Sequence, residues 1–517
     1  MSPLRPYFDP LPRWLPWKPI RGRRAAFVPH EGGVPIGMQR PMRRDTPSKG
    51  SRGIPFFLTK KLKFARTQRN AKAYPLLFLR PGCFKTVQIT KYPHRKEPCM
   101  EGQSSWDWGP GKRQIQKTAA CSRDVVWMEE PLASPDGERI ASVVNLENAV
   151  FGLCVNGDLL EQTFEKVWGL SFSPDGRLAA IASTDAEWTV VVEGLPWEGA
   201  FGFVWNLSFS RTGDRIGAAV QQDMRYGAAV DGNPWPDFFD NASDFALSPC
   251  GAHSAAAVQT RAMEAADIQT FQQGCYSVAV DGKAWGENYV NVWTPVFDES
   301  GEHVAAQVRR SLYDYTIVVD GVPWSRNFLS VWAPAFHPKT GAVVAPVRSE
   351  GKWGLAENGT LIWPARYTQL WQQAYDGTGS ALAAIVATSY GRFTVSVNDR
   401  PWQKTFGVVT DLAVHPDGKH VGALGKEADA WTVIVNGRPW AGAYDRVYPL
   451  CFSPDGSHAA LRAEKNGKFV IALDGKEYKE TFDRAWDPIF SPEGDKVLIR
   501  GTQGEDYFRI VAGIQEF

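Results

Sequence analysis

A chain of 517 residues with 21 tryptophans and 48 glycines has room for one large core or several, and it suits short strands and tight turns better than helices. No apolar run approaches the roughly 20 residues that a membrane-spanning helix needs, so a helical membrane span is excluded. The net charge of +1 conceals two unlike parts: residues 1–99 carry 22 Lys and Arg against 4 acidic residues, and residues 100–517 carry 35 against 52.

Residues 1–99 hold 15 of the 36 prolines, in stretches such as PLRPYFDPLPRWLPWKP, and show neither helical nor strand periodicity. They read as a disordered basic segment. A tail for nucleic acid or an anionic surface and a transit peptide are two functional readings of that composition. The reading favoured here is a mis-assigned translation start. Lys96-Glu97 can be encoded AAGGAG, a bacterial ribosome-binding sequence, and only Pro98 and Cys99 separate it from Met100. A protein beginning at Met100 shows no charged segment followed by an apolar one, which points to the cytoplasm. The scattered Cys121, Cys154, Cys250, Cys275 and Cys451 lack pair spacing and read as reduced, mostly buried thiols.

From about residue 121 one turn recurs: SPDG at 134–137 and 173–176, SRTG at 210–213, SPCG at 248–251, DESG at 298–301, HPKTG at 337–341, DGTG at 376–379, HPDG at 415–418, SPDG at 453–456 and SPEG at 491–494. The closing glycines are spaced 39, 37, 38, 50, 40, 38, 39, 38 and 38 residues apart. Most units place an aromatic before the turn (Trp168, Trp205, Trp293, Trp332, Trp371, Tyr448, Trp486) and a small-residue apolar strand after it. A β-branched strand follows, ending in Asn-Gly, Asp-Gly or a variant that favours a type I′ hairpin. The last strand is expected to open with Pro-Trp or its substitute: Trp197, Trp235, Trp285, Trp324, Trp363, Trp402, Trp440 or Tyr478. Four short strands in about 38 residues make one propeller blade, with the tryptophans packed between blades. The fold class is therefore all-β, a β-propeller of about ten four-stranded blades over residues 100–517. The tenth unit lacks a fourth strand, which Lys112–Ala120 would supply, closing the ring. Two smaller packed propellers are the alternative, with the insertion near 260–274 as the seam.

No phosphate-cradling, nucleophile-elbow, zinc-protease or EF-hand motif occurs, and no C-x-x-C. His253, His303, His420 and His458 each stand two residues after a turn glycine and would lie on a circle. Arg139, Arg215 and Lys496 fill the same slot elsewhere, so a polar residue leaving a turn explains all seven. No catalytic, cofactor-binding or metal residue is expected, and no cofactor. The insertion TRAMEAADIQTFQQG, from Thr260 to Gly274, is either a binding element with a short helix or a tolerated loop.

The F-S-P-D-G turn with its small apolar strand resembles WD40-like, TolB-type propeller repeats over residues 121–517. The recurring D-G-x-P-W, the tryptophan before each turn and the opening Ser105-Trp106-Asp107-Trp108 resemble the tryptophan-rich D subunit of the Tmc transmembrane electron-transfer complex of sulfate-reducing bacteria. That resemblance implies a non-catalytic cytoplasmic subunit, peripheral to the inner membrane. Its implied partners are an iron–sulfur protein, a membrane cytochrome b and a periplasmic multihaem cytochrome c, with no nucleic acid and no direct membrane span. An enzyme or ligand-binding propeller with a central polar pocket, hydrolytic in one version, is the competing class. Intact-mass measurement of the native protein is expected to give a chain starting at Met100; a mass that includes residues 1–99 rejects the upstream reading.

Overall fold

The computed structural model describes residues 103–517 except 119–120, 148 and 264–266. The expectations for residues 1–99 lie outside the described residues. The rest forms ten antiparallel sheets, each a blade built from one sequence unit, numbered 1 to 10 along the chain. Blade 2 shows the plan: Lys166–Phe172, Leu178–Thr184, Glu187–Val192 and Leu195–Pro196 pair in that order.

The turns follow from the residues that form them. All ten glycines closing the turn between first and second strands have φ between 69° and 90°, which residues with a Cβ rarely adopt. At the next hairpin on that rim, nine pairs have positive φ at both central residues, the type I′ geometry that Asn-Gly and Asp-Gly favour. The side chain of the first residue does more than tolerate the turn. Asn156, Glu193, Asp231, Asp281, Asp320, Asn358, Asn398, Asn436 and Asp474 each accept a hydrogen bond from the backbone N–H that begins their blade's second strand. One side chain thereby ties both turns of a blade together.

Second strands such as LAAIAS are buried along almost their whole length, because sheets lie against both their faces. Ten apolar clusters form, one at each seam between neighbouring blades; Ala179, Ile181, Phe201, Ile216 and Ala218 belong to the one between blades 2 and 3. The fourth strand departs from expectation. Its ladder covers Leu195–Pro196 and ends where the Trp197 N–H donates to Val190 O, 2.8 Å away; the chain then bends and rejoins at Phe201 opposite Trp188. The tryptophan thus follows the strand, except in blade 6, where Trp363 lies inside Thr360–Tyr367, and the reason is packing. A Cβ on Gly232 of blade 3 would lie 3.3 Å from Trp197 Cβ, and Gly282, Gly321, Gly359, Gly437 and Gly475 meet Trp235, Trp285, Trp324, Trp402 and Trp440 in the same way. D-G-x-P-W is therefore an interlock: the glycine of one blade rests on the tryptophan of the blade before it.

The ring closes as the tenth unit requires. Gly111–Lys117 pairs antiparallel with Asp506–Gly513 and completes blade 10. Blade 10 then grips blade 1 mainly through polar contacts, since the apolar cluster there holds only Ala133, Ile140 and Tyr507 as buried residues. Arg500 donates to Ser134 O at 2.7 Å, the Tyr507 hydroxyl to Gly137 O at 3.0 Å and Arg509 to Asp136 O at 2.8 Å. The insertion 260–274 lies within blade 4, between Ser254–Gln259 and Tyr276–Val280, which pair directly. It is no seam, and the two-propeller alternative is discarded. Replacing Arg509, whose side chain is 1% exposed, with Leu is expected to cost about 2–3 kcal/mol from lost charged hydrogen bonds, measured by urea unfolding.

Candidate functional site

The four histidines do not converge. His253, His303 and His458 direct Nδ1 at the hairpin aspartate of their own blade, Asp281, Asp320 and Asp474, at 2.6, 2.7 and 2.6 Å. Arg215 pairs in the same way with Asp231 at 2.8 Å, and Arg139 reaches across the seam to Glu193 at 2.7 Å. The polar slot after the turn is therefore a partner for the hairpin acid, which the turn chemistry alone did not reveal. In blade 8 the hairpin residue is Asn436, and His420 turns back to Asp417 at 2.8 Å. Among the described cysteines none forms a disulfide; Cys154 and Cys275 are buried, Cys121 and Cys451 half-buried, and Cys250 exposed.

One seam is irregular. At blade 7 the hairpin reads Asn398-Asp399, so no glycine rests on Trp363, and the first turn of blade 6 is one residue longer than the usual four. A cleft of about 410 Å³ opens there, lined by His337, Glu357, Trp363, Tyr375, Ser380 and Asp399 among others. The Tyr375 hydroxyl donates to Glu357 at 3.0 Å, and burial together with that carboxylate pushes the phenol up. His337 Nδ1 accepts from the backbone N–H groups of Lys339 and Thr340, while the Ser380 hydroxyl donates to Asp376 at 3.1 Å. His337 braces its own turn, and Ser380 hydrogen-bonds an acid that is itself fixed in a turn. The cleft offers polar recognition, and its position is between blades 6 and 7.

The other feature is a rim. Turns between second and third strands, and connections from one blade to the next, share the edge opposite the glycine turns. There the first-strand aromatic crosses the second strand to meet a third-strand aromatic: Trp168 with Trp188, Trp205 with Tyr226, Trp293 with Tyr315, Trp332 with Trp353, Trp371 with Phe393, Tyr448 with Phe469 and Trp486 with Tyr507, with ring centres 5.4–6.3 Å apart. Blades 4 and 8 place Ser243 and Thr410 at that register. In blades 3 to 7 the rim also exposes Met224, Ile268, Leu312, Tyr313, Leu329, Trp332 and Tyr390, of which Tyr390 is 80% exposed and Met224 76%. Single exposed apolar residues are ordinary, but here they recur on one rim over five consecutive blades. The insertion adds to it: Ile268–Gln273 is a helix, capped by the Asp267 side chain accepting from Thr270 N. Charges on this sector are mixed, with Arg225, Arg261, Arg310, Lys352 and Arg392 beside Asp223, Asp267, Asp314 and Glu350, so the acidic balance of the array does not dominate here.

No protein-family description and no curated protein sequence matches the chain. Solved structures similar to it include a crystal structure of "the eukaryotic initiation factor", 13% identical, covering 62% of this chain and 89% of that one with a TM-score of 0.40. The Myceliophteria thermophila Cps50 (Swd1) β-propeller domain is 11% identical, covers 53% and 97%, and gives a TM-score of 0.27. The β-propeller domain of the Trilobed protease from Pyrococcus furiosus, described as having an open velcro topology, is 13% identical, covers 55% and 95%, and gives 0.27. The last two are described as β-propeller domains, and the ten-bladed ring rests on the strand pairing described above. Among the described residues no helix is long and apolar enough to cross a membrane.

The hydrogen bond that His303 donates to the Asp320 carboxylate raises the pKa of His303 above its ordinary value of about 6.5. The pair's stabilisation is full below the unfolded-state value and is lost as pH rises through the higher folded one. NMR titration is expected to show that raised value, and Asp320→Asn, which keeps the acceptor for Val304 N, to return it toward 6.5.

Proposed function

We propose that this chain is a non-catalytic propeller scaffold, and that it serves as a cytoplasmic subunit of a membrane-associated electron-transfer complex of the Tmc type. The observation that carries the scaffold reading is the exposed apolar run on the rim of blades 3 to 7. A ring held at every seam gives such a surface a rigid backing, so a partner that docks there loses little binding energy to reordering. Membership of a redox complex is supported by the D-G-x-P-W repeat and the tryptophan before each turn. In this reading the iron–sulfur subunit faces the rim, while the cytochrome b and multihaem cytochrome c are reached through it.

The competing ligand-binding reading has one observation in its favour, the polar cleft between blades 6 and 7. Affinity purification from the organism that encodes the chain separates the two. Co-purifying haem and iron–sulfur subunits, seen as visible absorbance and lost with a Leu312→Glu, Tyr313→Glu double variant, are the expected outcome. A chain that purifies alone and hydrolyses a substrate rejects the scaffold reading.

A further inference from the structure

Blade 8 differs from its neighbours at three places that meet in space. Its first turn begins with His415 where most other blades have Ser; its slot after the turn holds His420; and its hairpin residue is Asn436, which carries no charge for His420 to pair with. Both imidazoles therefore face the turn acid, Asp417. Nδ1 of His415 lies 3.0 Å from Asp417 Oδ1, and Nδ1 of His420 lies 2.8 Å from Oδ2. The nearest ligand atoms of the three side chains lie within 4.8 Å of one another.

The hydrogen bonds around His415 define its tautomer. Nε2 faces the carbonyl oxygen of Pro454 at 3.2 Å, and a carbonyl only accepts, so Nε2 carries the proton. Nδ1 accepts from the N–H of Asp417 at 3.2 Å, so its lone pair points into the turn. That lone pair and the carboxylate oxygen 3.0 Å away repel unless a proton or a metal ion lies between them. In the turns that begin with Ser the problem does not arise, because the hydroxyl donates a proton to the acid, as Ser453 does to Asp455 at 2.6 Å. A ring N–H anchored on a backbone carbonyl fixes the tautomer that metal-binding histidines adopt; without an ion, the Nδ1 lone pair is taken by the Asp417 N–H.

The surroundings are built to hold the rings. His415 is 7% exposed at its side chain, and Phe452 of blade 9 packs against both imidazoles, with ring centres 5.9 and 6.4 Å away. Gly456 of blade 9 closes the other side: a Cβ there would lie 2.6 Å from His420 Nδ1 and 3.0 Å from His415 Nδ1.

We infer that His415, Asp417 and His420 form a site for a divalent transition metal such as zinc, held at the seam between blades 8 and 9. Two imidazole nitrogens and one carboxylate oxygen are the donor set zinc accepts, at about 2.0–2.2 Å from each. A tetrahedral ion keeps one further position, which water or a partner's side chain takes. The site stitches the turn of blade 8 to the Pro454 carbonyl of blade 9 through the His415 ring.

The test is titration of zinc chloride into the metal-stripped full-length protein, with retained metal counted by mass spectrometry after gel filtration. The wild type is expected to hold an equivalent that His420→Ala and His415→Ser each lose. His415→Ser restores the turn that the Ser-led blades use, so it should fold, as circular dichroism will verify. His458→Ala, in the same slot of blade 9 but paired with Asp474, should retain the full amount. Failure of the wild type to hold zinc overturns the site, and so does an unchanged equivalent count in both His415→Ser and His420→Ala.

Discussion

The fold depends on a contact that spans most of the array. The carbonyl oxygens of the 134–137 turn are taken by Arg500, Tyr507 and Arg509, residues more than 360 positions further along. Nine seams are formed between blades consecutive in sequence and follow from local packing. The tenth has to bring the ends of the array together and bears the loop-closure entropy of doing so. Hydrogen bonding to turn carbonyls suits that task, because it is directional and fixes register as well as distance. The strand 111–117 adds a second fastening at the same blade, and the sheet there has no missing strand.

Repetition makes departures informative. The same glycine-on-tryptophan contact recurs from blade to blade, so the seam at Asn398-Asp399 stands out as the place where a cleft opens. The same Ser–Asp turn recurs, so the change to His at 415 stands out as the place where two imidazoles share one acid. Each departure is a small edit to a scaffold that already holds its neighbours in place, which is how repeat proteins acquire sites without new folds.

Much of the architecture was legible in the sequence because it is written in local chemistry. Gly137 or Gly176 at the end of SPDG, and Asn156-Gly157 or Asp231-Gly232 at the hairpins, announce positive φ to any reader. The missing fourth strand of unit ten announced the closure. What stayed hidden acts across a seam, between residues about 38 apart whose meeting depends on the angle between blades. Trp197 against Gly232 is one case; it also explains why the tryptophan follows the strand and does not open it. The cluster at His415 is another. HPDG was visible as a variant turn, but only the third dimension shows that Asn436 leaves His420 free to join Asp417. The run of exposed side chains on the rim was equally hidden, since Met224, Tyr313 and Tyr390 come from separate units.

The composition of the tenth seam also bears on how such a ring is made. As the chain leaves the ribosome, blade 1 is complete long before blade 10 exists, and its outer face waits uncovered through the synthesis of some 350 residues. Were that face as greasy as the other nine, it would offer nascent chains a surface on which to aggregate. Instead it presents turn carbonyls, which water solvates until the arginines arrive, beside two buried apolar residues, Ala133 and Ile140. The most polar junction is the one that must wait longest.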